Sequence, residues 1–398
     1  MGTIFRRSEL LLALLLALST SAHSEEDPAD KQIAFAMAES LAFSGSVAPL
    51  DLGALGQWQV FGAASGTAFH QTYPTSGNDA NTAGFTNAQI MIQKTTGFAQ
   101  FFVQAGLYSL PSLGVAYQRS VDQTTSSFGY VPHAWVSLVP NDQWSLMIGK
   151  LPSMGGYEAT LTYQNINIQR GLLWNQTSSV SRGVQLNHTD GPFSASLAVT
   201  DGSYSNVYNW LGASLSYQPD PSNTFTAGWT GSVSGNATDT PTTPLLQNNS
   251  QIYNLIYTYS GVQWTLAPYA QYTYVASNPA IGINGASDTF GVALVATYHI
   301  TPLAPDRSPP RQHFSIPFRL EYITSGGNSH SNDANLLYGA GSSAWSATIT
   351  PTYQDGPFFV RAEASYLQTI NVTPGAAFGP NGTSTSQARV MLEAGVLY

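Results

Sequence analysis

The chain of 398 residues contains no cysteine. A disulfide framework and thiolate metal sites are therefore excluded. Charge is nearly as scarce, at 9% of residues, against about 25% in ordinary soluble domains. The formal net charge is −9, which rules out the basic surface that nucleic-acid binding requires. Long apolar runs are missing as well. No segment reaches the roughly 18 consecutive apolar residues that would predict a membrane-spanning helix. The apolar stretch from Leu10 to Leu18 is too short for that. With Arg6 and Arg7 before it and Ala22-His23-Ser24 after it, residues 1–24 read as a secretory signal.

What the chain does have is aromatic residues, small residues and alternation. Aromatics reach 12%, with 21 Tyr and 8 Trp, and there are 36 Gly. From about residue 57 the pattern has period two, the mark of strands. Phe290, Val292, Leu294, Ala296 and Tyr298 alternate with Gly291, Ala293, Val295, Thr297 and His299. Tyr253, Leu255, Tyr257 and Tyr259 alternate with Asn254, Ile256 and Thr258. In a membrane barrel the apolar set faces lipid and the other set faces a wet interior.

Sixteen strands are expected, near 57–70, 86–94, 98–108, 131–139, 144–151, 181–189, 193–201, 209–218, 223–233, 251–259, 264–275, 289–300, 314–324, 343–353, 358–370 and 387–398. Their connections supply an independent check. After even-numbered strands they are tight, as in Pro140-Asn141-Asp142, Asp190-Gly191-Pro192 and Asp355-Gly356-Pro357. After odd-numbered strands most are long, and 152–180 is the longest. Short periplasmic turns alternating with long outer loops is the rule of outer-membrane barrels. The loop at 202–208 is short for its side, and 301–313, with four prolines, is long for a turn. The fold expected is thus all-β, a transmembrane antiparallel up-and-down barrel over 57–398, with both chain ends periplasmic. Residues 25–56 would form a periplasmic N-terminal arm or one short helix. Trp58, Trp144, Trp210, Trp264 and Trp345, near strand ends, are expected to anchor the barrel at the two membrane interfaces.

The last strand places Val390, Leu392, Ala394, Val396 and Tyr398 on one face. This resembles the C-terminal signal by which outer-membrane barrels are recognised for insertion, with Val396 and Tyr398 as its end. It makes the barrel-assembly machinery and outer-membrane lipid the expected partners.

Charges on strands are few enough to be read singly. Arg319, Glu321, Arg361, Glu363, Arg389 and Glu393 all have the parity opposite to the lipid-facing set. A lipid-facing Arg would cost about 2–4 kcal/mol at the midplane, so inward placement is expected. Such pairs can brace the wall, or form a charged track for solutes, and the two roles are compatible. Three cations against three anions argue against strong ion selectivity from the wall alone.

Gly149-Lys150, Gly156-Tyr157-Glu158, Asn165, Arg170 and Arg182-Gly183-Val184 resemble the central motif of the OmpL-like β-barrel porin family, over roughly 144–200. The resemblance implies a barrel porin and brings no catalytic residues. The third long loop of sixteen-stranded porins folds into the channel. By that analogy, Lys150, Glu158, Arg170 and Arg182 are candidate constriction residues, the alternative being an external loop packed on its neighbours.

A barrel enzyme would need Ser–His or Asp–His groups converging at one place. The histidines beyond the signal are His70, His133, His188, His299, His313 and His330. None has the spacing of a triad, a dyad or a metal-binding pair. No cofactor is expected. The function expected is a water-filled channel for passive diffusion of small hydrophilic solutes, a homotrimer being compatible with the strand count. The alternatives are a barrel enzyme and a non-conducting barrel serving surface structure or adhesion.

Overall fold

The computed structural model describes residues 37, 40–43, 50–53, 56–305, 308–327 and 335–398. The signal over 1–24, most of the 25–56 arm and His330 lie outside the described residues.

Sixteen strands form one closed antiparallel sheet. They are β1 Gln57–Gln71, β2 Asn81–Lys94, β3 Ala99–Tyr108, β4 His133–Asn141, β5 Trp144–Pro152, β6 Val180–Asp190, β7 Phe193–Thr200 and β8 Trp210–Asp220. Then follow β9 Asn223–Ser232, β10 Ser250–Ser260, β11 Trp264–Val275, β12 Ser287–His299 and β13 Gln312–Ser325. The last three are β14 in two pieces, Ser343–Ile349 and Thr352–Asp355, β15 Phe358–Ile370 and β16 Ser386–Leu397. Each strand pairs with the next, and β16 closes on β1 through Arg389↔Gln71 to Leu397↔Ala63. Closure leaves no sheet edge with bare backbone groups, which hydrocarbon would not tolerate. The break in β14 falls at Thr350-Pro351, where proline has no amide hydrogen to donate to the ladder. Both pieces still pair with β13 and β15. A two-residue ladder, Leu50–Asp51, lies against the start of β1.

Burial is inverted relative to a water-soluble protein. On β15, Phe358, Val360, Ala362, Ala364 and Tyr366 are exposed while Arg361, Glu363 and Ser365 are buried. The same alternation exposes Leu255 at 66% and Leu197 at 61%, values that make sense only if the outer solvent is lipid. Aromatic residues pair across strands on this outer face. Phe193 stacks on Tyr217 at 4.8 Å and Phe225 on Tyr257 at 4.9 Å, with Trp264 against Tyr298 at 4.8 Å. Trp144, Trp264 and Trp345 are about 40% exposed on that face, as interface anchors should be. Trp210 is different. It shares the parity of Gly212 and Ser214, points inward, is 1% exposed, and donates its indole N–H to the Asn248 carbonyl at 2.9 Å. Gly202, at φ +60°, makes room for that ring, since a Cβ there would strike the indole.

Six tight connections and the longer 300–311 connection between β12 and β13 fall at one end of the barrel, and the remaining connections at the other. Three long loops turn inward instead of standing away from the rim. Residues 109–118 meet the 153–179 loop through the Ser112↔Arg170 bridge, and in the described residues 335–342 the Leu336 carbonyl accepts Gln176 Nε2, 2.7 Å away.

Candidate functional site in the barrel lumen

Every residue from 160 to 173 is buried. Leu161, Ile168, Leu172 and Leu173 are between 0% and 1% exposed, packed on inward Met91, Tyr269, Val295 and Ile323 or their neighbours. Each such side chain contributes about 1.5–3 kcal/mol. That offsets the roughly 1–2 kcal/mol per residue of backbone ordering. The loop and inward apolar residues of the wall thus share apolar clusters inside the barrel.

The inward charges decide where that loop sits. Arg319 Nη1 reaches Glu158 Oε1 at 2.5 Å and the Gln169 carbonyl at 2.8 Å. Glu321 lies 3.2 Å from Arg319 Nε and accepts the Leu173 amide at 3.2 Å and Ser346 Oγ at 2.7 Å. Glu363 accepts the Ile168 amide at 2.6 Å and Gln169 Nε2 at 2.7 Å. Arg361 pairs with Glu393 at 2.7 Å and donates to the Asn165 carbonyl at 2.9 Å. Glu393 also accepts Thr162 Oγ1 at 3.1 Å. Arg389 Nη1 donates to Gln169 Oε1 at 2.5 Å and its Nη2 to Gln71 Oε1 at 2.7 Å. All six wall charges therefore touch the same loop. None is more than 4% exposed.

The four loop residues divide. Glu158 and Arg170 are inside. Glu158 accepts the Gly171 amide at 2.8 Å, and Arg170 donates to the Thr160 carbonyl and, at 2.9 Å, to that of Pro111. Burial raises the Glu158 carboxyl, with Arg319 pulling it back. Burial lowers Arg170 to about 9, which leaves it charged at neutral pH. With these two, the buried lumen network holds four guanidinium groups against four carboxylates. Lys150 and Arg182 instead share the outward parity of Ile148 and Val184. They lie over the Tyr204 ring at 5.3 Å and 4.0 Å, and Arg182 pairs with Asp201 at 2.7 Å. They flank the loop on the outer face of the rim.

The glycine of the loop has a specific task. A Cβ on Gly171 would collide with the Glu321 carboxylate, so only glycine lets the loop backbone come this close to the wall. From the short-turn side, Met37 donates its amide to the Gln164 carbonyl at 2.8 Å, and Ala42 donates to Gln354 Oε1 at 3.0 Å. Phe43 packs edge-on against Tyr163 at 5.7 Å. At the C-terminus, Val396 and Tyr398 lie on the outward face, and the Tyr398 and Gly62 backbones exchange bonds of 2.8 Å and 2.6 Å.

The opposite wall carries no such network. The inward row Asn187, Ser196, Ser214, Gly228, Asn254 and Gln271 runs through successive registers from β6 to β11. Gln185, Ser196, Ser214 and Thr226 are half-buried, so the lumen beside them stays accessible. A cavity of about 150 Å³ separates this wall from residues 152–156 of the loop. Sequence reading singled out none of these neutral residues, although Asn254 stands between lipid-facing Tyr253 and Leu255. It also passed over a histidine pair. His299 Nδ1 lies 3.0 Å from His313 Nε2, and both rings are buried. Fourteen residues separate the two, a spacing that acquires meaning only once β12 and β13 are known to form one hairpin. Among the described residues no group of three or more metal-ligating side chains occurs.

The family model described as "Putative beta-barrel porin-2, OmpL-like" matches residues 56–398. No curated protein matches. Among solved structures, the chain is similar to a loop L8 deletion mutant of OmpT, an outer membrane protein of Vibrio cholerae, at 11% identity and TM-score 0.55, covering 86% of this chain and 99% of that one. It is similar to an anion-selective porin from Comamonas acidovorans at 12% identity and TM-score 0.55, covering 86% and 99%. The channel DcaP of Acinetobacter baumannii gives 12% identity and TM-score 0.54, covering 86% and 97%. At such identities the likeness concerns the fold, whereas the family model spans the whole barrel. The chain belongs to the OmpL-like β-barrel porin-2 family of outer-membrane proteins.

Proposed function

We propose that the chain is a passive diffusion porin whose route for small hydrophilic solutes runs along the β6–β10 wall. The observation that carries this reading is the asymmetry of the lumen. The 153–179 loop is bonded to β2, β3, β11–β13, β15 and β16, while the inward hydroxyl and amide groups of β6–β9 remain half-buried beside open space. The loop then acts as the constriction, with Glu158 and Arg170 holding its shape. The six wall charges line the lumen geometrically and brace the loop. No bond chemistry takes place. The two chain ends lie on the periplasmic side, where the short turns are, and the barrel assembles as a homotrimer in outer-membrane lipid after insertion by the barrel-assembly machinery.

Planar-bilayer recording of the purified, folded chain tests this directly. Discrete conductance steps in salt are expected. A chain whose gel mobility shifts on heating, and is therefore a folded barrel, but which never opens steps would defeat the porin reading in favour of a closed surface barrel.

A further inference from the structure

The cavity at the β6–β10 wall has a chemistry of its own. Its lining includes Met154, Gln185, Ser196, Ser214, Thr226 and Asn254. Asn254 is 4% exposed, yet neither its Nδ2 nor its Oδ1 has a partner among the described residues. A buried carboxamide left bare is costly, at about 1–3 kcal/mol for each unsatisfied group, and such groups call for an explanation. Its register neighbour on β9 is Gly228, where a Cβ would meet nothing closer than 3.9 Å. Both residues line the cavity, and Gly228 puts no side chain between the strand and the Met154 carbonyl across it.

We infer that this cavity is a binding subsite for a small uncharged polyol, held through two of its hydroxyls by the Asn254 carboxamide. The inference rests on the porin reading and names the solute class for it. A carboxamide offers an acceptor oxygen and donor hydrogens side by side. A pair of neighbouring hydroxyls returns both, one donating to Oδ1 and the other accepting from Nδ2. An ion is poorly served here. The inward residues of β6 to β10 include no Lys, Arg or Glu, and the one Asp of that parity, Asp220, sits at the exposed turn. An ion entering the cavity would shed water with no counter-charge to receive it. Ser196, Ser214 and Thr226 add hydroxyl partners, while Met154 and Ile256 present apolar surface to the C–H face of a polyol. The volume of about 150 Å³ equals about five molecules of liquid water at roughly 30 Å³ each, the scale of a small polyol.

The probe is ribitol, with gluconate as its charged counterpart, applied to the full chain in planar bilayers. Ribitol is expected to reduce the salt current saturably, beyond its effect on bulk conductivity, and gluconate is not. Asn254→Leu removes two neutral hydrogen bonds and is expected to weaken the block about tenfold, each variant being measured against its own open current. Gly228→Val fills the space from the other side and is expected to abolish the block. Should Asn254→Leu fail the heat-shift test for a folded barrel, Gly228→Val carries the comparison. A wild-type current that falls only with bulk conductivity, or a block unchanged in the folded variants, overturns the subsite and leaves a cavity for water alone. If the folded wild type opens no steps, the porin reading fails separately. Ribitol titration calorimetry on the folded barrel then decides the subsite, wild-type binding lost in Asn254→Leu supporting it and no binding overturning it.

Discussion

The two halves of the inner wall follow the same strand alternation and carry opposite chemistry. From β13 to β16 the inward positions hold Arg319, Glu321, Arg361, Glu363, Arg389 and Glu393, all buried and all bonded to one loop. From β6 to β10 they hold serine, threonine, glutamine and asparagine, mostly half-buried and facing space. These six inner-wall charges are covered by the loop and do not face open lumen. The ionic half is a socket for the loop, and on the proposed route the neutral half is the surface left for solutes. Charge balance over the whole lumen then says little about selectivity, because the balanced part is covered.

The largest break in this comparison comes from Arg319→Ala. It leaves Glu158 and Glu321, both within 3.2 Å of the guanidinium, buried without their cation. Removing one member of a buried ionic group costs about 3–5 kcal/mol. A lower temperature for the heat-induced gel shift is expected, together with larger conductance steps as the loop loosens. Unchanged steps would mean that the apolar contacts of Leu161, Ile168, Leu172 and Leu173 hold the loop without ionic help. Replacing the same guanidinium does not test ion selectivity, because stability changes first.

A more local break is Gly171→Val. Its side chain needs the volume that the Glu321 carboxylate occupies, and overpacking of this kind costs about 1–3 kcal/mol. The ionic groups all remain, so only the fit of loop to wall is disturbed. Conductance is expected to rise while the barrel keeps its heat-shifted mobility. A wild-type conductance would show that the loop can back away from Glu321 without opening the lumen.

The strands and their facing were legible because both follow from a period of two, which is local. The interior was not. Parity says that Arg319 and Glu363 point inward, but says nothing of what meets them there. Their partners Glu158 and Gln169 lie 161 and 194 residues away, and no local rule links such positions. Inward Met91, Val295 and Ile323 break the polar-inside pattern because they pack on the loop. Trp210 is instructive in the other direction. Its place near a strand end suggested an interface anchor, yet its parity with Gly212 and Ser214 already pointed it inward. Lys150 and Arg182 likewise carry outward parity through Ile148 and Val184. Parity outweighed residue type in each case.

The smallest effect on folding, and the sharpest on transport, is expected from a charge placed on the neutral side. Ser214 is half-buried on the inward face of β8, registered with Ser196 and Gly228, with no ionic group beside it. Ser214→Glu puts a carboxylate where water already reaches, so its cost should stay near the roughly 0.5 kcal/mol typical of accessible substitutions. The barrel should shift on heating as the wild type does. A carboxylate in a narrow, low-dielectric passage attracts cations and repels anions, so the zero-current potential in a salt gradient should move toward cation preference. The same measurement on Glu363→Gln supplies the contrast. That change removes a charge that Gln169 and Thr350 cover, and selectivity should barely respond while the loop is held less well. If Ser214→Glu left the zero-current potential unchanged and Glu363→Gln shifted it, the two halves would have exchanged roles, and solutes would pass on the side of the ionic network.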